Sequence, residues 1–231
     1  MKAVVINYSG NVGKTTVSRH LLSPRMNSAQ VFTVESINSD GTEDQIVRGK
    51  HFAEMLETLA NLDDAVIDVG ASNVEDFVGL MGKYRGSHED FDYFIVPTVA
   101  KDKQQSDTIS VIEALAELGV PAKKMRVVFN MVEYDEMPER IFSGLIGYHA
   151  KNKNFTLKPD AIIHMNELYG KLKGSEQTIE DILNDTTDLK GLLKATTEPD
   201  EKIAITRRIA VKRLAAGVTE ELDGVFKTLF K

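Results

Sequence analysis

From Ala3 to Thr16 the chain passes from a short apolar run, Ala3-Val4-Val5-Ile6, through a small glycine-bearing loop into Gly13-Lys14-Thr15-Thr16 and a helical pattern. A buried strand, a tight loop and a helix in that order form a cradle for phosphate. Gly10 and Gly13 let the backbone close on an anion with its N–H groups pointing inward, and Asn11 and Val12 fill the turn between them. The helix that starts near Lys14 adds unpaired N–H groups and the positive end of its dipole. Lys14 can reach terminal phosphates, and the Thr15 hydroxyl can ligate Mg²⁺. The plainer reading is an ordinary strand–turn–helix with a surface lysine. A lysine at a helix N-terminus opposes the dipole by about 0.3–1 kcal/mol unless an anion sits there, which favours the phosphate reading. The pattern G-x-x-x-x-G-K-[ST] asks for glycine where this chain has Tyr8, so the fit rests on Gly10, Gly13, Lys14, Thr15 and the strand before them.

Composition narrows the remaining classes. The 231 residues, 42% of them apolar, suit one large α/β domain or such a domain with a helical appendage. Without cysteine there is no disulfide framework, Fe–S cluster or thiolate zinc site. The five histidines, His20, His51, His88, His149 and His164, never fall at ligand spacing, which argues against a transition-metal site. The N-terminus leads directly into a strand and no apolar run approaches membrane-spanning length. The expected location is therefore the cytoplasm, with no membrane insertion. A net charge of −7 argues against broad nucleic-acid affinity and leaves room only for a local basic patch.

Two periods alternate along the chain. Strand-like runs recur at Val31–Val34, Ala65–Val69, Phe91–Val96 and Met125–Phe129, and helical patterns at Thr15–Leu22, Glu43–Asn61, Val74–Tyr84 and Asp102–Leu118. Gly119-Val120-Pro121 stops the last of these. Apolar strands alternating with helices predict an α/β fold: a mostly parallel sheet with helices on both faces. Ligands of such sheets sit beyond the carboxyl ends of the strands. Composition shifts near residue 150, which predicts a nucleotide-binding core over 1–150 and a mostly helical part over 151–231 packed on the same domain. Breaks fall at Lys158-Pro159, Gly174 and Glu198-Pro199.

Asp68 closes the run Ala65-Val66-Ile67 and precedes Val69-Gly70-Ala71-Ser72-Asn73. A carboxylate buried at a strand end needs a positive partner or several donors. Mg²⁺ held by phosphates and Thr15 would supply the charge, through a water, with the Gly70 N–H turned to the terminal phosphate. The alternative is a strand-end Asp that caps the next turn. Asn130 follows Arg126-Val127-Val128-Phe129, where its amide can read a purine edge or simply form a turn.

Asn7-Tyr8-Ser9-Gly10-Asn11-Val12-Gly13-Lys14-Thr15-Thr16 resembles the deviant P-loop of the ParA/MinD ATPases. Val66-Ile67-Asp68-Val69-Gly70-Ala71-Ser72 and Leu168-Tyr169-Gly170 are similar to the StbB and TraL branch, tied to plasmid stability and conjugal transfer. The resemblance covers residues 1–135 well and the remainder loosely. It implies binding of ATP or ADP with Mg²⁺, an ATP-dependent homodimer, and a DNA-binding partner protein from the same plasmid. The binding set carried over is Gly10, Asn11, Val12, Gly13, Lys14, Thr15, Thr16, Gly70 and Asn130, with Thr15 and Asp68 serving the metal and Asn130 facing adenine. Lys14, Glu35 and Asp40 are the catalytic candidates.

Two departures stand out. The family's signature lysine falls where this chain has Ser9, which cannot supply a cationic clamp. The first switch keeps Glu35 but has Ile37 at the second acidic place, so Asp40 would have to orient the attacking water. Loss of an arginine-finger-like charge slows related phosphoryl transfers by about 10³–10⁵, so slow hydrolysis is expected. A second class, small-molecule kinases and ligases related to dethiobiotin synthetase, shares Val12-Gly13-Lys14-Thr15. It would need acids and lysines near the terminal phosphate, for which Lys101-Asp102-Lys103 is the nearest group. A C-terminal helix from about Pro199 to Leu229 carries an apolar stripe, Val211, Leu214, Val218, Leu222, Val225 and Leu229. Its first half holds Lys202, Arg207, Arg208, Lys212 and Arg213, either a non-specific DNA contact or a solvated face paired with acids such as Glu201 and Glu220.

Overall fold

The apolar runs pair into one sheet; the computed structural model describes residues 1–34, 45–175 and 177–231. β1 (Lys2–Val5) lies between β3 (Ala65–Val69) and β4 (Tyr93–Thr98). β2 (Gln30–Val34) flanks β3, and β5 (Met125–Val132) and β6 (Ile162–His164) extend the other side. The order is β2-β3-β1-β4-β5-β6 and every pair is parallel. Parallel strands need crossovers, and helices supply them. α1 (Lys14–Thr16) runs on through a π-helical stretch, Val17–Leu22, into α2 (Ser23–Arg25). Further along come α3 (Gln45–Ala60), α4 (Val74–Lys83), α5 (Asp102–Glu117), α6 (Pro138–Ile141) and α7 (Ser143–Asn152). All five residues of β3 are buried, which requires cover on both faces of the sheet. An aromatic chain runs through the core: Phe52 meets Phe77 at 5.6 Å, Phe77 meets Phe91 at 6.2 Å, and Phe91 meets Phe94 at 5.8 Å.

Three strand assignments change. β4 continues through Pro97 to Thr98, although proline ordinarily ends a central strand. Its pairing with β1 stops at Ile95, and Pro97 faces the loop after β1, where its carbonyl accepts a hydrogen bond from Asn7. β5 extends to Val132, so Asn130 lies inside the strand instead of following it. A register shift between Asn130 and Val132 leaves Met131 at φ 56°, a bulge beside the loop that follows β1. β6 lies in the part expected to be mostly helical. At three residues it is too short to leave a periodic signal.

Two compact units divide the chain: Met1–Met165 together with Val225–Lys231, and Asn166–Gly224. The second is helical, with α8 (Glu167–Leu172), α9 (Ile179–Asn184), α10 (Leu189–Ala195) and most of α11 (Pro199–Phe230). Thr178 and Asp181 form a capping box on α9, and Asp188 caps α10 through the Gly191 N–H at 2.9 Å. In the stripe of α11, Val218, Leu222, Val225 and Leu229 are buried, while Val211 and Leu214 are half-buried. Among the described residues no helix is long and apolar enough to cross a membrane.

Asp185 organises part of the helical unit. It accepts from Thr187, pairs with Arg208 at 2.9 Å, and its backbone carbonyl accepts from Lys212. The Thr187 hydroxyl first, then its N–H and the Arg208 guanidinium, hold the carboxyl at about 2 against an ordinary 3.8. A depressed carboxyl contributes stability that is present above its unfolded pKa and lost as pH falls through the folded one. Acid titration followed by circular dichroism should therefore show a loss between 3.8 and about 2 that shrinks in Asp185→Asn. Superimposable parent and variant titrations would remove this role.

Candidate phosphate-binding site

The loop after β1 is built on Asn7, which is fully buried. Its Nδ2 donates to Pro97 O at 2.9 Å and to Thr108 Oγ1 at 2.8 Å, while its Oδ1 accepts the Ser9 N–H at 2.8 Å. One amide thus ties the loop to β4 and to α5. Two loop residues, Asn11 at φ 57° and Gly13 at φ 85°, take left-handed backbone, the conformation from which anion-binding nests of N–H groups are built. Asparagine tolerates that region; at Gly13 any side chain would also collide with the Asn130 amide. Asn130, itself buried, donates from Nδ2 to Val12 O at 2.8 Å and so braces the loop from β5.

Lys14 is only 8% exposed, and its ammonium donates to Ser9 O at 2.7 Å and Asn7 O at 3.1 Å. Burial pushes its pKa below the usual lysine range, and the Asp68 carboxylate pulls the other way. Asp68, opposite Val5 in the β1–β3 register, accepts from Thr15 Oγ1 at 2.8 Å. The strand-end carboxylate is therefore joined to the helix that follows the loop. Gly70 opens the short turn Ala71–Asn73, which Asn73 anchors by donating to Val34 O at 2.7 Å.

A hydroxyl beside a carboxylate is a hard-oxygen pair, the chemistry Mg²⁺ prefers. Among the described residues no group of three or more His, Cys, Asp or Glu could hold a metal alone. Thr15 and Asp68 therefore fit an ion that takes its other ligands from phosphate and water, as Mg²⁺ does.

Ser9 is not free. Its hydroxyl donates to Asp107 of α5, and Asp107 pairs with Lys103 at 2.7 Å. Lys103 first, then Ser9, holds the Asp107 carboxyl below its ordinary range. The sequence reading missed Asn7 and Asp107. An amide inside the loop between apolar residues was the one available signal for Asn7; nothing local pointed to Asp107, ninety-eight residues from its partner. Glu35, Ile37 and Asp40 lie outside the described residues.

A parallel sheet whose first strand feeds Gly13-Lys14-Thr15 into a helix, with an aspartate at the neighbouring strand end, is the fold of the P-loop nucleoside triphosphatases. The chain is similar in structure to apo McdA from Cyanothece, at 15% identity over 99% of this chain and 98% of that one, with a TM-score of 0.55. It is also similar to the cell division protein MinD from Aquifex aeolicus, at 13% identity over 86% and 98%, with a TM-score of 0.51. At such identities the likeness is one of fold. No protein-family model and no curated protein matches the chain.

Proposed function

We propose that this chain is a ParA-like nucleotide switch that binds ATP with Mg²⁺, dimerises with ATP and hydrolyses it slowly. It acts in the cytoplasm in plasmid stability, partition or positioning, or conjugal transfer, with a DNA-binding partner from the same plasmid. The observation that carries the reading is the Thr15–Asp68 hydrogen bond beside a buried Lys14, under a loop held in left-handed turns. Bound Mg²⁺ would supply positive charge against the phosphate oxygens. The loop N–H groups orient the phosphates, Lys14 neutralises them, and Asp68 with Thr15 holds the metal side. Asn130 keeps Val12 and Gly13 in register for that grip.

Slow turnover follows from Ser9. Its hydroxyl is taken by Asp107 and carries no charge, so the chain offers no cation from that position. Absence of such a charge costs about 10³–10⁵ in rate in related phosphoryl transfers. Phosphate release with Mg²⁺–ATP, with and without duplex DNA, should stay far below one turnover per second in the protein alone. Sedimentation should show a dimer with ATP and a monomer without. Turnover of many per second without a partner, or sedimentation indifferent to ATP, would contradict the reading.

The basic cluster of α11 is the DNA-facing part of the proposal. Arg208 and Lys212 are engaged with Asp185, while Arg207 and Arg213 are exposed. Each phosphate neutralised steepens the salt dependence by about 0.9 in log–log slope. Reversing Arg207, Arg208 and Lys212 to Glu should abolish ATP-dependent DNA retention on a filter, and Arg207→Glu with Arg213→Glu should do so without touching the Asp185 contacts. Equal retention by parent and variants would make the helix structural and the cargo a protein.

A further inference from the structure

At the amino ends of the strands, away from the phosphate loop, lies a cavity of about 510 Å³ lined by Met1, Asp92, Tyr93, Lys123, Lys124 and Arg126. That volume falls in the range of small-molecule sites, about 300–1,000 Å³. Its charge runs against that of the chain. The protein carries a net −7, yet three of the six lining residues are cations. None of the three forms an ion pair with a carboxylate among the described residues. The one acid in the lining, Asp92, already accepts the Lys2 N–H at 2.7 Å.

Two of the cations are held in place. The Lys124 ammonium donates to Phe91 O at 2.6 Å and Glu89 O at 3.2 Å, which leaves one N–H for another partner. The Arg126 guanidinium lies 4.1 Å from the Tyr93 ring centre and 5.2 Å from that of Phe230, and these two rings meet edge-on at 4.9 Å. Stacking occupies the faces of the guanidinium; its Nε donates to Lys123 O at 3.4 Å, which leaves further N–H groups along its edge for an acceptor. Burial lowers the Arg126 pKa, a sign that its charge is short of solvation. Lys123 is exposed at the rim.

Positioned cations that outnumber the single acid beside them, in a chain with acids in surplus, suit an anion from outside. Set against Asp92, the three cations leave two positive charges. A phosphate monoester carries about −1.5 to −2 at neutral pH, a simple carboxylate only one. We propose that this cavity binds a small phosphate monoester, gripped by the Arg126 edge and Lys124 and closed over by Lys123. The site is independent of the nucleotide reading, because no residue of it belongs to the loop at residues 10–16.

The test uses the 231-residue chain carrying Lys14→Ala, so that the loop does not compete, with phenyl phosphate as probe and NMR of the backbone amides as readout. Saturable shifts confined to residues 92–93 and 123–126 are expected. Arg126→Gln should weaken them at least tenfold. Lys123→Gln, at an exposed position, should weaken them less and guards against a folding defect at Arg126. Benzoate, with one charge, should bind at least tenfold more weakly. Absence of saturable shifts, equal affinity in both variants, or benzoate binding as well as phenyl phosphate would overturn the proposal. So would a short DNA duplex that displaces the probe at equal phosphate concentration, which would assign the site to a nucleic-acid backbone.

Discussion

Lys14→Ala is expected to lower ATP affinity by about 10- to 150-fold, the equivalent of the ~1.5–3 kcal/mol carried by a hydrogen bond to a charged group. The size follows from burial. An exposed lysine would lose hydration on meeting a phosphate, whereas Lys14 is already 8% exposed and held by Ser9 O and Asn7 O. The same contacts give the variant a second consequence. Truncation leaves both carbonyls without the ammonium, and an unsatisfied buried acceptor costs about 1–3 kcal/mol. A lowered melting temperature should therefore accompany the lost affinity. Lys14→Gln separates the two effects, since a neutral amide can still donate to a carbonyl but cannot neutralise a phosphate. Calorimetry should find Lys14→Gln nearly as weak for ATP as Lys14→Ala, with most of its stability restored. Unchanged ATP affinity in both variants would remove Lys14 from the site, and with it the nucleotide reading.

What the sequence made visible and what it hid divide along one physical line. Strand and helix periods are local, so β3 runs from Ala65 to Val69 as the pattern predicts, and α5 starts at Asp102 as the pattern does. The loop chemistry of Gly13, Lys14 and Thr15 is also local. Contacts made by polar side chains across the fold are not. The bond from Asn130 to Val12 spans 118 positions, and Ser9 to Asp107 spans 98. Asparagine near a strand end reads as a turn former or as an amide facing a purine edge; its role as a brace appears only when β5 stands two strands from β1. The basic patch shows the same limit. Glu201 and Glu220 are the nearby acids by sequence, yet Asp185, from before α10, engages Arg208 and Lys212. β6 escaped for a different reason: three residues pair through their backbone, and no side-chain period is long enough to register.

Gly13→Ala is expected to abolish most ATP binding and to destabilise the fold, whereas Gly10→Ala should do neither to the same degree. Two independent penalties meet at Gly13. Its φ of 85° is left-handed, where a Cβ costs about 1–2 kcal/mol. The Cβ would also fall on the Asn130 amide, with Met131 Cε 3.7 Å away. Either the amide moves and releases Val12 O, or the loop opens; both outcomes disperse the N–H groups that the proposed function assigns to phosphate. Gly10 has open space around its Cβ position and is not among the left-handed glycines, so alanine there meets neither penalty. The double variant Gly13→Ala with Asn130→Ala divides the two terms, because it removes the collision and leaves the backbone strain. It should regain part of the melting temperature lost in Gly13→Ala, but little ATP affinity, since the Val12 brace is gone as well. Thermal denaturation and calorimetry on the four proteins provide the check. Equal loss in Gly10→Ala and Gly13→Ala would mean that loop flexibility, and not the left-handed turn braced by Asn130, shapes the cradle. Full ATP affinity in Gly13→Ala would place the phosphates somewhere other than this loop.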